Sequence, residues 1–103
     1  MKRGDVVLMA DDKPRPAVVV QADAVPTPIT VLLCPLSSFL VDAPLYRPQV
    51  EPDASNGLTR TSQLMADKTG PVRRDLCGEV FGTLAPGDLR RLDVALAVVL
   101  GLR

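Results

Sequence analysis

Apolar residues fall in short runs separated by clusters of proline, glycine and charge. The first run, Val6-Val7-Leu8-Met9-Ala10, follows Arg3-Gly4-Asp5 and stops at Asp11-Asp12; it predicts a first strand. Pro14 and Pro16 exclude helix around Arg15 and hold it extended, so Ala17-Val18-Val19-Val20 reads as a second strand. Residues 22–28 contain two prolines and predict a loop. Residues 29–36 form the third and most apolar run. A run without polar alternation predicts a strand buried on both faces, although periodicity alone does not separate it from a buried helix. Pro35 is expected to interrupt pairing near its end.

The second half is more broken. Residues 39–47 read as a loop, and Val50-Glu51 as a brief strand. Residues 52–57 are dense in turn formers, and Asn56-Gly57 is a type I′ hairpin signal. A strand over 58–66 would put Leu58, Arg60, Ser62 and Leu64 on one face and Thr59, Thr61, Gln63 and Met65 on the other. A charged loop over 67–74 holds Gly70-Pro71, and short strands are predicted over 72–76 and 78–84. A helix then starts at Ala85-Pro86-Gly87-Asp88, with Pro86 near its first position and Asp88 favourable to the dipole. Leu89, Leu92, Leu96 and Val99 or Leu100 recur at helical spacing, and Gly101 suits the C-terminal cap. Because residues 94–100 are apolar nearly all round, this helix is expected to pack on the barrel with one side and on a partner with another. The fold class expected is mainly β with a C-terminal α-helix: about five to seven short strands in a small SH3-like β-barrel, forming a single domain over residues 1–103.

Composition narrows the chemistry. The chain has 103 residues, a length suited to one modest core. Its formal net charge is zero, which argues against a broad electrostatic footprint but leaves room for a local basic patch. There is no histidine, so the usual general base near neutral pH and the commonest zinc ligand are both missing. Cys34 and Cys77 form no C-x-x-C motif and are expected as two reduced, buried thiols. Neither a signal peptide nor a membrane-spanning segment is evident, and the cytoplasm follows as the default. No metal and no cofactor are expected.

The polar residues at the strand ends are the informative ones. Arg15 precedes the second strand, and Ser37 and Ser38 follow the third. If those strands pair, a guanidinium and two hydroxyls converge at one end of the sheet, a combination suited to a phosphate. Arg60 and Ser62 make a second guanidinium–hydroxyl pair. Each residue alone also has an ordinary reading, as a solvated arginine, a turn-forming serine or a polar residue on a half-exposed strand.

Taken in order, several blocks resemble the MazF/PemK/Kid family of toxin endoribonucleases. They are Arg3-Gly4-Asp5-Val6; Arg15-Pro16 leading into Ala17-Val18-Val19-Val20; Cys34-Pro35-Leu36-Ser37-Ser38; Gly57-Leu58-Thr59-Arg60-Thr61-Ser62-Gln63 followed by Asp67; and the final Leu100-Gly101-Leu102. The resemblance spans nearly the whole chain through short motifs whose order and spacing together are specific. It implies an SH3-like barrel that acts as a homodimer, cuts single-stranded RNA without metal and is neutralised by a small antitoxin, the toxin half of a type II toxin–antitoxin system. It puts Arg15 on the family's catalytic arginine and Ser37 on its catalytic threonine or serine. Ser38 and Arg60 fall on flanking positions that contact RNA in some members, and Ser62, Gln63 and Lys13 are counted with them as RNA-binding candidates. Two departures stand out: Ser62 occupies a place where some members carry an acidic group, and the histidine that some members use in the first loop is absent.

Metal-free cleavage of RNA uses the ribose 2′-OH as internal nucleophile. Charge then builds on the phosphate oxygens, where Arg15 and Ser37 would donate. Arginine is a poor general base, so Asp11 and Asp12 are the candidates for that role. With Phe39, Phe81 and Tyr46 as the whole aromatic complement, recognition is expected mainly through polar edges and backbone. Two competing readings remain. One is a CcdB-like DNA gyrase poison without enzymatic activity, which Pro35-Leu36 and Gly78-Glu79 resemble, although CcdB ends in a tryptophan-bearing segment and this chain has no tryptophan. The other is a peptide-binding SH3-like module, against which the low aromatic content argues.

Overall fold

The computed structural model describes residues 1–10 and 13–102. Asp11 and Asp12, the candidate general bases, lie outside them. Seven strands are formed among the described residues: β1 (Asp5–Met9), β2 (Arg15–Val19), β3 (Thr30–Ser37), β4 (Gln49–Val50), β5 (Ser62–Leu64), β6 (Gly70–Arg73) and β7 (Cys77–Thr83). Short 3-10 turns cover Ala66–Lys68 and Arg74–Leu76, and α1 (Pro86–Leu100) ends the chain's regular structure. All pairings are antiparallel, in the order β4-β5-β3-β2-β1-β7, with β6 on β3. The sheet curls into a half-barrel, in keeping with the small β-barrel expected.

β3 is the spine. It pairs with β2 through Leu33, Cys34 and Pro35, with β6 through Thr30 to Leu33, and with β5 through Leu36 and Ser37. The expected interruption at Pro35 is real but local: the β2 ladder ends at Ala17↔Pro35, while β3 continues against β5 and the Pro35 carbonyl accepts from Met65 N at 2.9 Å. Burial on both faces of β3 holds except at Leu32, which is exposed. Val31 and Leu33 join Val7, Ala17 and Val19 in one apolar cluster, while Cys34 and Leu36 join Val6, Val18, Leu64 and Leu92 in another. Strand periodicity sorts neighbours to opposite faces, so two small cores share one sheet.

Helix α1 packs on the second cluster through Leu92 and Ala95, with Leu89 and Leu96 partly buried beside them. The buried stripe is therefore shorter than the leucine spacing predicts: Val99 and Leu100 are exposed, as are Val94 and Val98. Pro86 opens the helix and Gly101 closes it at φ +70°, a left-handed cap that only glycine adopts without strain. Arg3 ties the helix to the sheet, donating from Nε to the Val20 carbonyl at 2.9 Å and pairing with Asp93.

Four expectations change. The strand predicted over 58–66 contracts to Ser62–Leu64, and that over 72–76 becomes β6 followed by a 3-10 turn. Asn56-Gly57 is not a type I′ turn, because Gly57 has positive φ (71°) and Asn56 does not. Cys34 is buried as expected, whereas Cys77 is only half-buried; both are free thiols.

Candidate functional site

β2 and β3 run antiparallel with Val19↔Leu33, Val18↔Cys34 and Ala17↔Pro35 in register. Carrying that register two residues further, past the end of the ladder, sets Arg15 against Ser37. Both line one hollow of about 670 Å³, together with Lys13, Ser38, Arg60 and Ser62. Six of the sequence candidates thus converge from three separate stretches of chain. The hollow carries three cationic side chains, and no carboxylate lies among the described residues that line it. A neutral chain therefore concentrates positive charge at one opening.

The Ser37 hydroxyl is oriented by its own turn. Its Oγ accepts from Phe39 N at 3.1 Å, while among the described residues the one carbonyl near enough to take its proton, that of Phe39, stands at 3.5 Å. That second distance is at the outer limit of a hydrogen bond, so the hydroxyl keeps its proton for an incoming acceptor. Ser62 is 5% exposed and its hydroxyl donates to the Arg60 carbonyl at 3.0 Å. Its role there is to brace the backbone under Arg60, whose side chain is exposed.

Gln63 is not part of this hollow. It sits on the opposite face of β5, and its amide is fully used: Nε2 donates to the Val41 carbonyl at 2.7 Å and Oε1 accepts from Val41 N at 3.0 Å. It clamps the 41–49 segment beside a second hollow of about 470 Å³ against α1. Sequence adjacency to Ser62 is misleading here, because strand neighbours point to opposite faces.

Four lining residues had no role in the sequence reading or were set aside by it. Phe39 follows Ser37-Ser38 directly, and its neighbourhood was a usable signal; Thr59 lies next to Arg60. Strand alternation already groups Leu58 with Arg60 and Ser62, whereas Phe81 arrives through tertiary packing, with no local sign. The loop carrying Leu58, Thr59 and Arg60 is held by Asn56, which is fully buried. Asn56 Oδ1 accepts from Asp53 N at 3.2 Å and Leu58 N at 3.0 Å, and Nδ2 donates to the Glu51 carbonyl at 2.9 Å.

Neither cysteine is suited to act as a nucleophile. Burial pushes the Cys34 thiol up to about 12, and burial also raises Cys77. Both stay protonated near neutral pH.

Arg47 grips Asp67 with two bonds of 2.9 Å, fastening the 41–49 segment to the turn at Ala66–Lys68. The Arg47 guanidinium holds the Asp67 carboxyl below its ordinary value. A depressed folded-state pKa gives stability that is present above the unfolded carboxylate value and is lost as pH falls through the folded one. Asp67→Asn is therefore expected to lower stability at neutral pH by about 0.2–1 kcal/mol, the range for solvent-open pairs, and to match the parent near pH 2. Thermal melts of both proteins across that range check it; equal melting temperatures at neutral pH would contradict it.

Residues 2–100 match the family model described as PemK-like, MazF-like toxin of type II toxin-antitoxin system. A protein of Mycolicibacterium smegmatis named "Probable endoribonuclease MazF" is 37% identical over 107 residues, covering 99% of this chain and 98% of that one. Among solved structures, the fold is similar to "Mycobacterium tuberculosis toxin MazF-mt6" at a TM-score of 0.84 and 22% identity, covering 96% of this chain and 98% of that one. It is also similar to "Endoribonuclease in complex with its cognate antitoxin from Mycobacterial species" at a TM-score of 0.83 and 24% identity, covering 100% of this chain and 97% of that one.

Proposed function

Since the chain belongs to the family of PemK-like, MazF-like toxins of type II toxin–antitoxin systems, we propose that it is an endoribonuclease which cuts single-stranded RNA at the hollow shared by Arg15 and Ser37. The activity is that of the 37%-identical relative, whose likeness runs along nearly the whole of both chains. The single observation that carries the site is the convergence of Lys13, Arg15, Ser37, Ser38, Arg60 and Ser62 on one hollow with cations and hydroxyls in its wall.

The reaction is written on RNA's own nucleophile. The ribose 2′-oxygen attacks the adjacent phosphorus in line; the new P–O2′ bond forms as the P–O5′ bond breaks. The products are a 2′,3′-cyclic phosphate and a 5′-hydroxyl, and the 2′ proton must leave as the 5′ oxygen gains one. Arg15 presents a planar fork to the non-bridging oxygens, and Ser37 adds a hydroxyl donor. Lys13, Ser38 and Arg60 hold flanking phosphates and riboses, and Ser62 supports Arg60. Asp11 or Asp12 takes the 2′ proton, a role that rests on their place in sequence just before Arg15. Gln63 is better suited to hold the 41–49 segment than to touch RNA.

The protein works in the cytoplasm as a single-domain homodimer, with a cognate antitoxin as its inhibitor. The exposed apolar residues Val94, Val98 and Leu100 on α1 favour a partner of some kind. The antitoxin is expected to contribute an acidic segment that orders on binding and competes with RNA for the basic hollow. No helix among the described residues is long and apolar enough to cross a membrane. Nothing in the comparisons favours the gyrase-poison reading.

The test is incubation of the purified protein with a long single-stranded RNA in EDTA. Cleavage with 5′-hydroxyl ends is expected. Intact RNA together with inhibited gyrase would replace this function with the poison.

A further inference from the structure

Of the chain's three aromatic residues, both phenylalanines line the hollow that holds Arg15 and Ser37. They come from separate elements, Phe39 from the turn after β3 and Phe81 from β7. At 78% exposure, Phe39 is the most exposed of the large apolar residues, so it contributes little to the core. Its backbone is nevertheless fixed, because Phe39 N donates to Ser37 Oγ at 3.1 Å. Phe81 keeps 42% of its surface exposed while its ring rests on Gly57. A Cβ added at Gly57 would stand 2.6 Å from Phe81 Cδ2, so the ring occupies the space that a side chain would take.

The hollow is also larger than a phosphate requires. A volume of about 670 Å³ lies in the range that takes a drug-sized ligand. Flat apolar rings beside Lys13, Arg15 and Arg60 suit a flat π-faced group carried on a phosphate, which is a nucleotide. Resting on the ribonuclease reading, we infer that Phe39 and Phe81 are stacking platforms for the nucleobases adjoining the phosphate held by Arg15 and Ser37. Aromatic content over the whole chain is low, but it is concentrated at the one place where bases would lie. Recognition then has an apolar, sequence-tolerant component besides the polar edges.

The test compares two labelled strands of equal length and charge, each about twelve nucleotides so as to span the site. One is a mixed-sequence 2′-O-methyl RNA, which the mechanism cannot cut. The other is the same backbone without bases. Binding is read by fluorescence anisotropy on the full chain. The parent is expected to bind the base-bearing strand roughly tenfold or more tighter than the abasic one. Phe39→Ala and Phe81→Leu should each narrow that ratio by about fivefold, and Phe39→Trp should preserve it. Phe81→Leu keeps apolar packing on Gly57, so a narrowed ratio there is not a folding effect. Arg15→Ala should weaken both strands alike and leave the ratio unchanged.

Equal binding of the two strands by the parent, or a parental ratio in Phe39→Ala, would overturn the inference and leave the rings as a surface for a protein partner. If RNA is cut in EDTA while the two strands bind alike, stacking falls and the nuclease stands. If bases improve binding while no RNA is cut, the nuclease falls and a single-strand binding site remains.

Discussion

Arg15→Ala is expected to lower kcat/KM for RNA cleavage by roughly a hundredfold or more, the usual loss when one donor to a developing oxyanion is removed. The reason is geometric and electrostatic together. In the transition state the non-bridging phosphate oxygens gain charge, and a planar fork can meet two of them at once. Arg15 sits where β2 begins, between Pro14 and Pro16, so little backbone freedom is lost when it binds. Arg15→Lys keeps the charge but loses the fork, and should recover only a part of the rate. Ser37→Ala should cost less, about tenfold, because a neutral hydroxyl donates more weakly than a guanidinium. Ser37→Thr should stay near the parent, since it retains the oxygen. Arg15 is exposed, so none of this should alter the melting temperature appreciably. Single-turnover cleavage of a defined RNA, with thermal melts beside it, separates the outcomes. An Arg15→Ala protein that cuts at the parental rate would remove Arg15 from the mechanism while leaving the family assignment intact.

How much of this was readable beforehand follows from the range of the forces involved. β3 is apolar from Val31 to Leu36 because residues from both of its faces enter a core, with Leu32 alone left exposed, and an apolar run is a local property a sequence displays directly. That Arg15 and Ser37 share one hollow was readable for a related reason. Two adjacent strands joined by a loop form the simplest antiparallel pair, and residues just outside the pair meet at one end. The strand at 58–66 failed because alternation there reflects two different supports. Ser62, Gln63 and Leu64 are paired to β3 and β4, but Leu58, Thr59 and Arg60 belong to a loop fastened by Asn56. The Asn56-Gly57 signal was misread because asparagine has two ways to serve a turn. It can adopt the left-handed backbone, or it can bond neighbouring backbone with its side chain, and here it does the second. The backbone of this turn lies directly against Gly82 of β7, a contact that its own residues do not announce.

The basic hollow and the zero net charge are consistent for the same reason. Asp5, Asp23, Asp53, Asp67, Asp75, Asp88 and Asp93 are engaged in hydrogen bonds or ion pairs elsewhere on the surface. Charge balance across a chain carries no information about where each sign collects, and phosphate responds to the local field within about a Debye length, roughly 8–10 Å.

Asn56→Ala is expected to be strongly destabilising although the residue lies outside both apolar clusters. The side chain is fully buried and makes three bonds to backbone, so removing it strands the N–H groups of Asp53 and Leu58 and the carbonyl of Glu51. At about 1 kcal/mol for each group left without its partner, the loss is about 2–4 kcal/mol. For a domain of this size that corresponds to a fall in melting temperature of about 10–20 °C. Gly82→Ala should act through the same place from the other side. A Cβ there would lie 2.2 Å from the Asn56 carbonyl oxygen, and backbone cannot yield as a side-chain tip can. Both variants loosen the loop that brings Arg60 to the hollow, so the residual folded protein should show a raised KM with a smaller change in kcat. Arg60→Ala, by contrast, should raise KM without moving the melting temperature, because Arg60 is exposed and its removal leaves the Asn56 bonds in place. Urea or thermal unfolding of all three, set beside their kinetics, tests the assignment: an Asn56→Ala protein as stable as the parent would mean that the 51–58 loop is held by something other than this buried amide.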